Sequence, residues 1–320
     1  MTWKASAGVA LARQRADMLE RARAFFRSRD VLEVDTPALG RHAASDPNID
    51  SLRVAGPGGT TLYLQTSPES FMKRLLADGY PDIYGLGHVF RGGEAGRLHQ
   101  PEFTMVEWYR RDFGLDAMID ETVALIAALL DRPDLGDAES LEYRDAFKQF
   151  AGIDPFAAST AELAEAASAD ADLRDSLGGD RDAWLDLLLS TRVAAGFATD
   201  RLTVLRHFPA SQAALARLCP LDGQVADRFE VFYGEMELAN GFVELRDPDE
   251  QRRRMLADLE KRRAAGRQAV PLDEPLLAAL ESGLPRCAGV AVGFERVLML
   301  ATGAGDIRDV MTFAFDDTGN

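Results

Sequence analysis

Only two cysteines, Cys219 and Cys287, occur in the 320 residues, far apart and in no CxxC or His-rich spacing. That argues against a disulfide framework and against a zinc site, and it fits a reducing compartment. Long apolar runs are absent too, and none approaches the roughly 18–20 residues of a membrane span. The opening stretch MTWKASAGVALARQRADMLERA has no unbroken apolar core, so a signal peptide is not expected and the expected address is the cytoplasm. A basic excess is also missing: 36 Lys and Arg stand against 52 Asp and Glu, a net charge of −16. Nucleic-acid binders draw much of their affinity from phosphate contacts, so an RNA role here would need a local basic patch. Gly56 to Gly59 lacks both the Lys-Ser/Thr ending and the following helix of a phosphate loop, and reads as a turn. No internal repeat or low-complexity linker interrupts the chain. The rest, 47% hydrophobic and 28% charged, is ordinary globular usage, long enough for one large domain or two ordinary ones.

Chemistry concentrates from Val89 to Arg111, VFRGGEAGRLHQPEFTMVEWYRR. An apolar strand end delivers Arg91, a turn holds Gly92, Gly93 and Gly96, and Arg97 and His99 follow. Period-2 alternation from Phe103 puts Phe103, Met105, Glu107 and Tyr109 on one face and Thr104, Val106 and Trp108 on the other. Such a hairpin suits a site with a polyphosphate and a flat base at one end and a cationic group at the other, although a solvated surface hairpin has the same pattern.

Further along, Leu11, Met18, Leu19, Ala22, Phe25 and Phe26 recur at helical spacing, and Val31 to Val34 reads as a strand stopped at Thr36-Pro37. Ser67-Pro68-Glu69 begins a helix running through Leu76, with Ser67 as N-cap. Asp116 to Leu130 reads as another helix. The Ala- and Asp-rich region of about 131–201 is largely helical by pattern and is expected to be an insertion within a single domain. Phe229 to Leu245 reads as a hairpin turning at Tyr233-Gly234. Across it Glu230 and Glu237 can face each other and share a divalent ion, or form a solvated edge. Gln251 to Arg267 holds seven basic residues against two acidic ones, either a solvated helix face or a dock for an acidic partner. Last, an apolar strand to Val292 leads through Gly293 into a helix carrying Arg296 near its mouth, where it can reach a phosphate.

Taken in order, these stretches resemble motifs 1, 2 and 3 of class II aminoacyl-tRNA synthetases. HQPEFTMVEWYR and GEMELANGFVEL are similar to the lysine-specific group, and HFPASQAALA (His207 to Ala216) is closer to the elongation factor P–lysine ligase family. That family looks like a lysyl-tRNA synthetase catalytic core lacking the anticodon domain, and motif 1 here begins within the first 30 residues. The resemblance implies an α+β fold, an antiparallel sheet flanked by helices, and a homodimer through motif 1. It implies ATP as co-substrate with Mg²⁺ held by Glu230 and Glu237, and Arg91 and Arg296 as the catalytic charge-neutralising pair. ATP contacts would run through Arg91, Gly92, Gly93, Arg97, His99, Gln100, Phe103, Glu237, Leu238, Gly293 and Arg296, with Phe103 stacking on adenine. Lysine or (R)-β-lysine would be held by Ser67, Pro68, Glu69, Glu107, Tyr109, Asn240, Glu244 and Ala291. Ala291 stands where the tRNA enzymes have glycine, in keeping with the family's preference for (R)-β-lysine. The implied partner is elongation factor P rather than tRNA, and the Arg252–Arg267 cluster is the candidate dock for it. The sequence departs from the family at Gly92-Gly93, where Asn-Glu is usual and Glu94 is the nearest carboxylate, and at Gln100, where Asn is usual. Charging of tRNA or another carrier, and a non-catalytic regulatory role, stay open as alternatives.

Overall fold

The computed structural model describes residues 4–315; residues 1–3 and 316–320, which the single-domain expectation also takes in, lie outside the described residues. In chain order the main elements are α1 (Val9–Arg27), β1 (Leu32–Glu33), α2 (Glu69–Ala77), β2 (Ile83–Phe90), β3 (Glu102–Arg111) and α3 (Leu115–Leu130). There follow β4 (Glu139–Glu142), α4 (Arg181–Leu188), β5 (Leu202–Arg206), β6 (Arg228–Tyr233) and β7 (Met236–Val243). The last are α5 (Pro248–Ala264), α6 (Glu274–Gly283), β8 (Cys287–Gly293) and α7 (Phe294–Thr302).

The eight strands form one sheet in the order β1-β2-β3-β8-β7-β6-β5-β4. Only the two outermost pairs are parallel, and the six central strands run antiparallel. This is the antiparallel sheet flanked by helices that the sequence led us to expect.

Both faces of the sheet are covered, and they are used differently. Toward one face α1 turns Met18, Ala22, Phe25 and Phe26, the i, i+4, i+7, i+8 stripe of an amphipathic helix. There Phe26 stacks on Tyr84 of β2 with ring centroids 4.2 Å apart and meets Trp108 of β3 edge-on at 5.3 Å. Val106 and Trp108 join α1, α3 and α7 in the principal apolar core. The opposite face carries a smaller core, formed by α2, α5 and α6 with Tyr109 and Cys287, and beside it the sheet is left open as a cavity.

Residues between β4 and β5 close a second apolar cluster around Tyr143, Phe147, Trp184, Leu185 and Leu188, which joins the sheet through Leu205 and Phe232. The helix expected to begin at Ser67-Pro68 starts one residue later, with Pro68 flanking α2 and Ser67 Oγ accepting the Glu69 N–H at 3.0 Å. The hairpin of β6 and β7 turns where expected, with Gly234 in the left-handed region at φ +54°. Among the described residues no helix is long and apolar enough to cross a membrane.

Candidate active site

A cavity of about 580 Å³ lies on the open face, walled by β3, β7, β8, α2 and the loop of residues 41–51. That is the size of a small-molecule site. Strand alternation builds its floor. Phe103, Met105, Glu107 and Tyr109 of β3 line it, as do Asn240 of β7 and Gly289, Ala291 and Gly293 of β8. Ala291 pairs with Glu107 on one side and Asn240 on the other. The small residues of β8 keep the floor open. A Cβ at Gly289 would stand 2.4 Å from Tyr109 Cε1 and 2.6 Å from Glu244 Oε1, distances that force something to move.

One end of the cavity is a buried cluster of carboxylates. Glu107 is 3% exposed; Ser67 Oγ donates to its Oε2 at 2.7 Å and Tyr109 OH to its Oε1 at 2.8 Å. Burial, and then the charge of Glu69, push its carboxyl up to about 7, against the pull of those two hydroxyls. Beside it Lys73, 1% exposed, sets its Nζ 2.6 Å from Glu69 Oε1 and 2.5 Å from Glu244 Oε2. Burial works to lower the Lys73 pKa, but Glu244 and Glu69 together outweigh it and hold the ammonium above its ordinary value. Burial also raises Glu244, with Glu69 adding to the effect and Lys73 opposing it. Glu244 Oε1 is buried and has no hydrogen-bond partner. Two carboxylates, Glu69 and Glu244, therefore hold a single cation with Glu107 close by, and one acceptor is left unsatisfied, a costly arrangement that a cationic ligand would relieve.

The other end carries arginines. Arg296 donates from Nη1 to the Glu237 carbonyl at 2.8 Å, lies 3.4 Å from Glu237 Oε2, and meets His99 Nε2 at 2.8 Å through Nη2. Burial, and then Arg296 itself, lower the His99 pKa, which leaves a neutral ring able to accept from the guanidinium. Arg91 lies over the Phe103 ring at 5.2 Å and 3.8 Å from Glu94, which also lines the cavity.

Several expected contacts fall elsewhere. Gly92, Gly93 and Arg97 do not line the cavity. Gly92 donates to the Asp50 carbonyl at 2.7 Å, Gly93 adopts φ +78°, and Arg97 reaches the Gly305 carbonyl at 3.4 Å. Gln100 does line it, but its amide is engaged by the Phe315 N–H and the His99 carbonyl. Leu238 and Gly293 line it, whereas Pro68 borders a separate small void behind α2.

Glu230 and Glu237 are not opposite each other. A register shift between Val231 and Phe232 sets Glu237 against Phe232 and Glu230 against Asn240. Glu230 shares the cavity face with Asn240 but does not line the cavity; it is 7% exposed and 2.5 Å from Arg228 Nη2. Burial raises its pKa, Arg228 opposes that, and the nearby charge of Glu237 adds to the rise.

The basic stretch is not a free patch. Arg262 is 3% exposed and binds the Asp46 and Ile49 carbonyls and Asp50. Arg267 also takes Asp50, Arg252 takes Glu274, and Arg253 and Arg254 take Glu250. Two of the seven, Arg262 and Arg267, clamp the cavity loop, while Arg253 and Arg263, with side chains 71% exposed, pair with carboxylates of their own helix.

Sequence reasoning missed Lys73, although Glu69 and Lys73 stand four apart on a helix, a spacing that pairs charges. It missed Arg228, which bridges Glu230 and Asn240. It also missed Asp182 and Asp186, which no pattern marked, and Ser211 and Gln212, which lie in the HFPASQAALA stretch but were given no role; through these the region between β4 and β6 reaches the cavity. Away from the cavity, donor atoms of His207, Cys219 and Asp227 come within 4.8 Å of one another. Glu142 already holds His207 and Arg217 holds Asp227, so that cluster is satisfied as it stands.

Comparison with known proteins agrees with the arrangement. The family model of tRNA synthetases class II (D, K and N) matches residues 3–317. A protein of Photorhabdus laumondii named elongation factor P–(R)-β-lysine ligase is 46% identical over 318 residues, covering 98% of this chain and 97% of its own. Proteins of the same name from Klebsiella pneumoniae (98% of each chain) and Pseudoalteromonas translucida (97% of each) are both 45% identical over 321 residues. The chain belongs to the class II tRNA synthetase family of the D, K and N type, among relatives named elongation factor P–(R)-β-lysine ligase.

Proposed function

We propose that this protein is an ATP-dependent, AMP-forming ligase that activates (R)-β-lysine and joins it to the ε-amine of a lysine of elongation factor P. The observation that carries the reading is the polarity of the cavity: Glu69 and Glu107 line one end, with the buried Lys73–Glu244 pair behind them, and Arg91 and Arg296 line the other. A diamino acid and a nucleoside triphosphate fit end to end in such a site.

The chemistry needs no protein nucleophile. The amino-acid carboxylate attacks the α-phosphorus of ATP, the bond to pyrophosphate breaks, and an aminoacyl-adenylate forms. Arg91 and Arg296 neutralise charge developing on the phosphates, and Phe103 offers its ring to the base. His99, held neutral, accepts from Arg296 and fixes its planar head. Glu107 and Glu244 take ammonium groups, with Glu69, Tyr109 and Asn240 orienting the remainder, so the carboxylate is presented in line. In the second step the acceptor ε-amine attacks the acyl carbon, an amide forms, and AMP leaves.

Glu237 and the nearby Glu230 would hold Mg²⁺. The fit is one of chemistry: a buried carboxylate raised by burial, with a second carboxylate close enough to add to the rise and Arg228 as its one ion-pair partner among the described residues. When bound, Mg²⁺ supplies neutralisation of phosphate charge. A cytoplasmic address and a homodimer through α1 and β1 belong to the same reading; the dimer is supported by the exposure of Leu32 on β1.

Intact mass of elongation factor P after incubation with the protein, Mg-ATP and lysine or β-lysine tests the reading, with tRNA as a parallel acceptor. A gain of one lysyl unit on the factor, with tRNA uncharged, is expected. Charging of tRNA alone, or no gain and no pyrophosphate exchange, would overturn it.

A further inference from the structure

Lys73 does not itself line the cavity; it is a buried ammonium directly behind the carboxylate end, and its presence there demands an explanation. Lys73 is 1% exposed, lies within 2.6 Å of both Glu69 and Glu244, and stands 5.4 Å above the Phe242 ring. The groups facing it come from every surrounding element: Glu69 on its own helix, Glu244 after β7, Glu107 and Tyr109 on β3, and Cys287 on β8. Glu244 still has an unsatisfied oxygen behind Gly289, and Glu107 is near enough to raise both Tyr109 and Glu244.

We propose that Lys73 is a resident counter-ion that positions Glu69 and Glu244 and sets the charge of the cavity so that it accepts acids bearing two ammonium groups and rejects those bearing one. The inference rests on the function proposed above and names the source of its selectivity. In the fully ionised state that binds ligand, three carboxylates less one ammonium leave two negative charges to be matched. A diamino acid matches both, whereas an acid lacking the distal amine leaves a carboxylate buried without a partner. Lys73 also keeps Glu69 and Glu244 from repelling each other, so each presents an oxygen in one fixed orientation before ligand arrives. A lysine that merely filled space would be replaceable by methionine, which has similar length and no charge.

The test is a double-mutant cycle of Lys73→Met, Glu69→Gln and the pair together, with Lys73→Arg as the conservative variant. Amino-acid-dependent ATP–pyrophosphate exchange is followed with lysine, β-lysine and 2-aminohexanoate, which is lysine without its ε-amine. Lys73→Met should raise KM for the diamino acids by at least about 30-fold while KM for ATP stays within about twofold. Lys73→Arg should recover most of the loss. Combining Lys73→Met with Glu69→Gln restores two net negative charges, so the double variant should bind better than additivity of the single losses allows. Should Lys73→Met fold poorly, the double variant and Lys73→Arg still decide the matter through KM. Unchanged diamino-acid KM in folded Lys73→Met, or strictly additive losses, would overturn the inference. Absence of exchange with either diamino acid in the unaltered protein would instead overturn the functional proposal.

Discussion

Glu107 offers a sharp test of whether the carboxylate end of the cavity binds a cation. In the empty protein burial and Glu69 raise its carboxyl to about 7, so near neutrality the group is divided between acid and carboxylate. Only the carboxylate can pair with an ammonium, and the ligand's distal ammonium stays charged across the range. Binding must therefore displace a proton from Glu107. At pH 6 about nine-tenths of the empty sites hold that proton and at pH 8 only about one-tenth, so diamino-acid affinity should rise about tenfold from pH 6 to pH 8. Calorimetry in two buffers of different ionisation enthalpy would show proton release that shrinks toward pH 8. The sign for stability is opposite. A carboxyl whose folded pKa is raised stabilises the empty fold at low pH and loses that contribution as pH climbs from about 4.5 to about 7. Glu107→Gln should accordingly melt no lower than the parent at pH 8, while its diamino-acid affinity is weak and flat with pH. Equal affinity at pH 6 and pH 8, or a pH dependence that survives in Glu107→Gln, would refute the reasoning.

Three other perturbations follow from the geometry. Gly289→Ala places a methyl 2.4 Å from Tyr109 and 2.6 Å from Glu244, both buried and tethered; overpacking should cost about 1–3 kcal/mol in urea unfolding and raise diamino-acid KM by at least about tenfold. Arg262→Ala should lose about 3 kcal/mol, because it strands the Asp46 and Ile49 carbonyls and one side of Asp50, while Arg253→Ala on the same helix, with its side chain 71% exposed, should be neutral. Chelation of divalent cations should stop pyrophosphate exchange, and Glu237→Gln should slow it by about 100-fold with the melting temperature nearly unchanged.

How much of this was legible in the sequence depended on what kind of order each feature used. The division of β3 into Phe103, Met105, Glu107 and Tyr109 against Thr104, Val106 and Trp108 could be read directly, because a strand has a fixed period of two and no irregularity interrupts it. The pairing of Glu230 with Glu237 could not, because a register shift inside the hairpin breaks that same arithmetic and leaves no mark in residue types. Lys73 was visible as half of an i, i+4 pair, yet such pairs usually sit on solvated helix faces, and only the packing of β3, β7 and β8 against α2 reveals that this one is buried. The seven basic residues looked unopposed because two of their partners are remote: Asp50 is 212 positions from Arg262 and Glu274 is 22 from Arg252.

The departure at Gly92-Gly93 joins two of these features and leads to a last prediction. Arg262 and Arg267 on one side of Asp50 fix that residue, and Asp50 in turn receives the Gly92 N–H in an isolated antiparallel bridge. The residue before Gly92 is Arg91, which lines the cavity, so the clamp from α5 sets where the loop arginine enters. A Cβ at Gly92 would meet the Asp50 carbonyl at 3.3 Å, and Gly93 holds a left-handed backbone at φ +78°. Both positions thus require glycine for the loop as it stands, and Glu94, 3.8 Å from Arg91, supplies a carboxylate where the related family is expected to have one a residue earlier. Restoring Asn-Glu through Gly92→Asn with Gly93→Glu should therefore not improve the enzyme. It should cost about 1–2 kcal/mol from the left-handed position alone, add crowding at Asp50, and raise KM for ATP. Glu94→Gln in the unaltered loop should raise it as well. If the glycine-to-family variant proved both more stable and faster, the loop would be a relic of drift rather than a rebuilt support for Arg91.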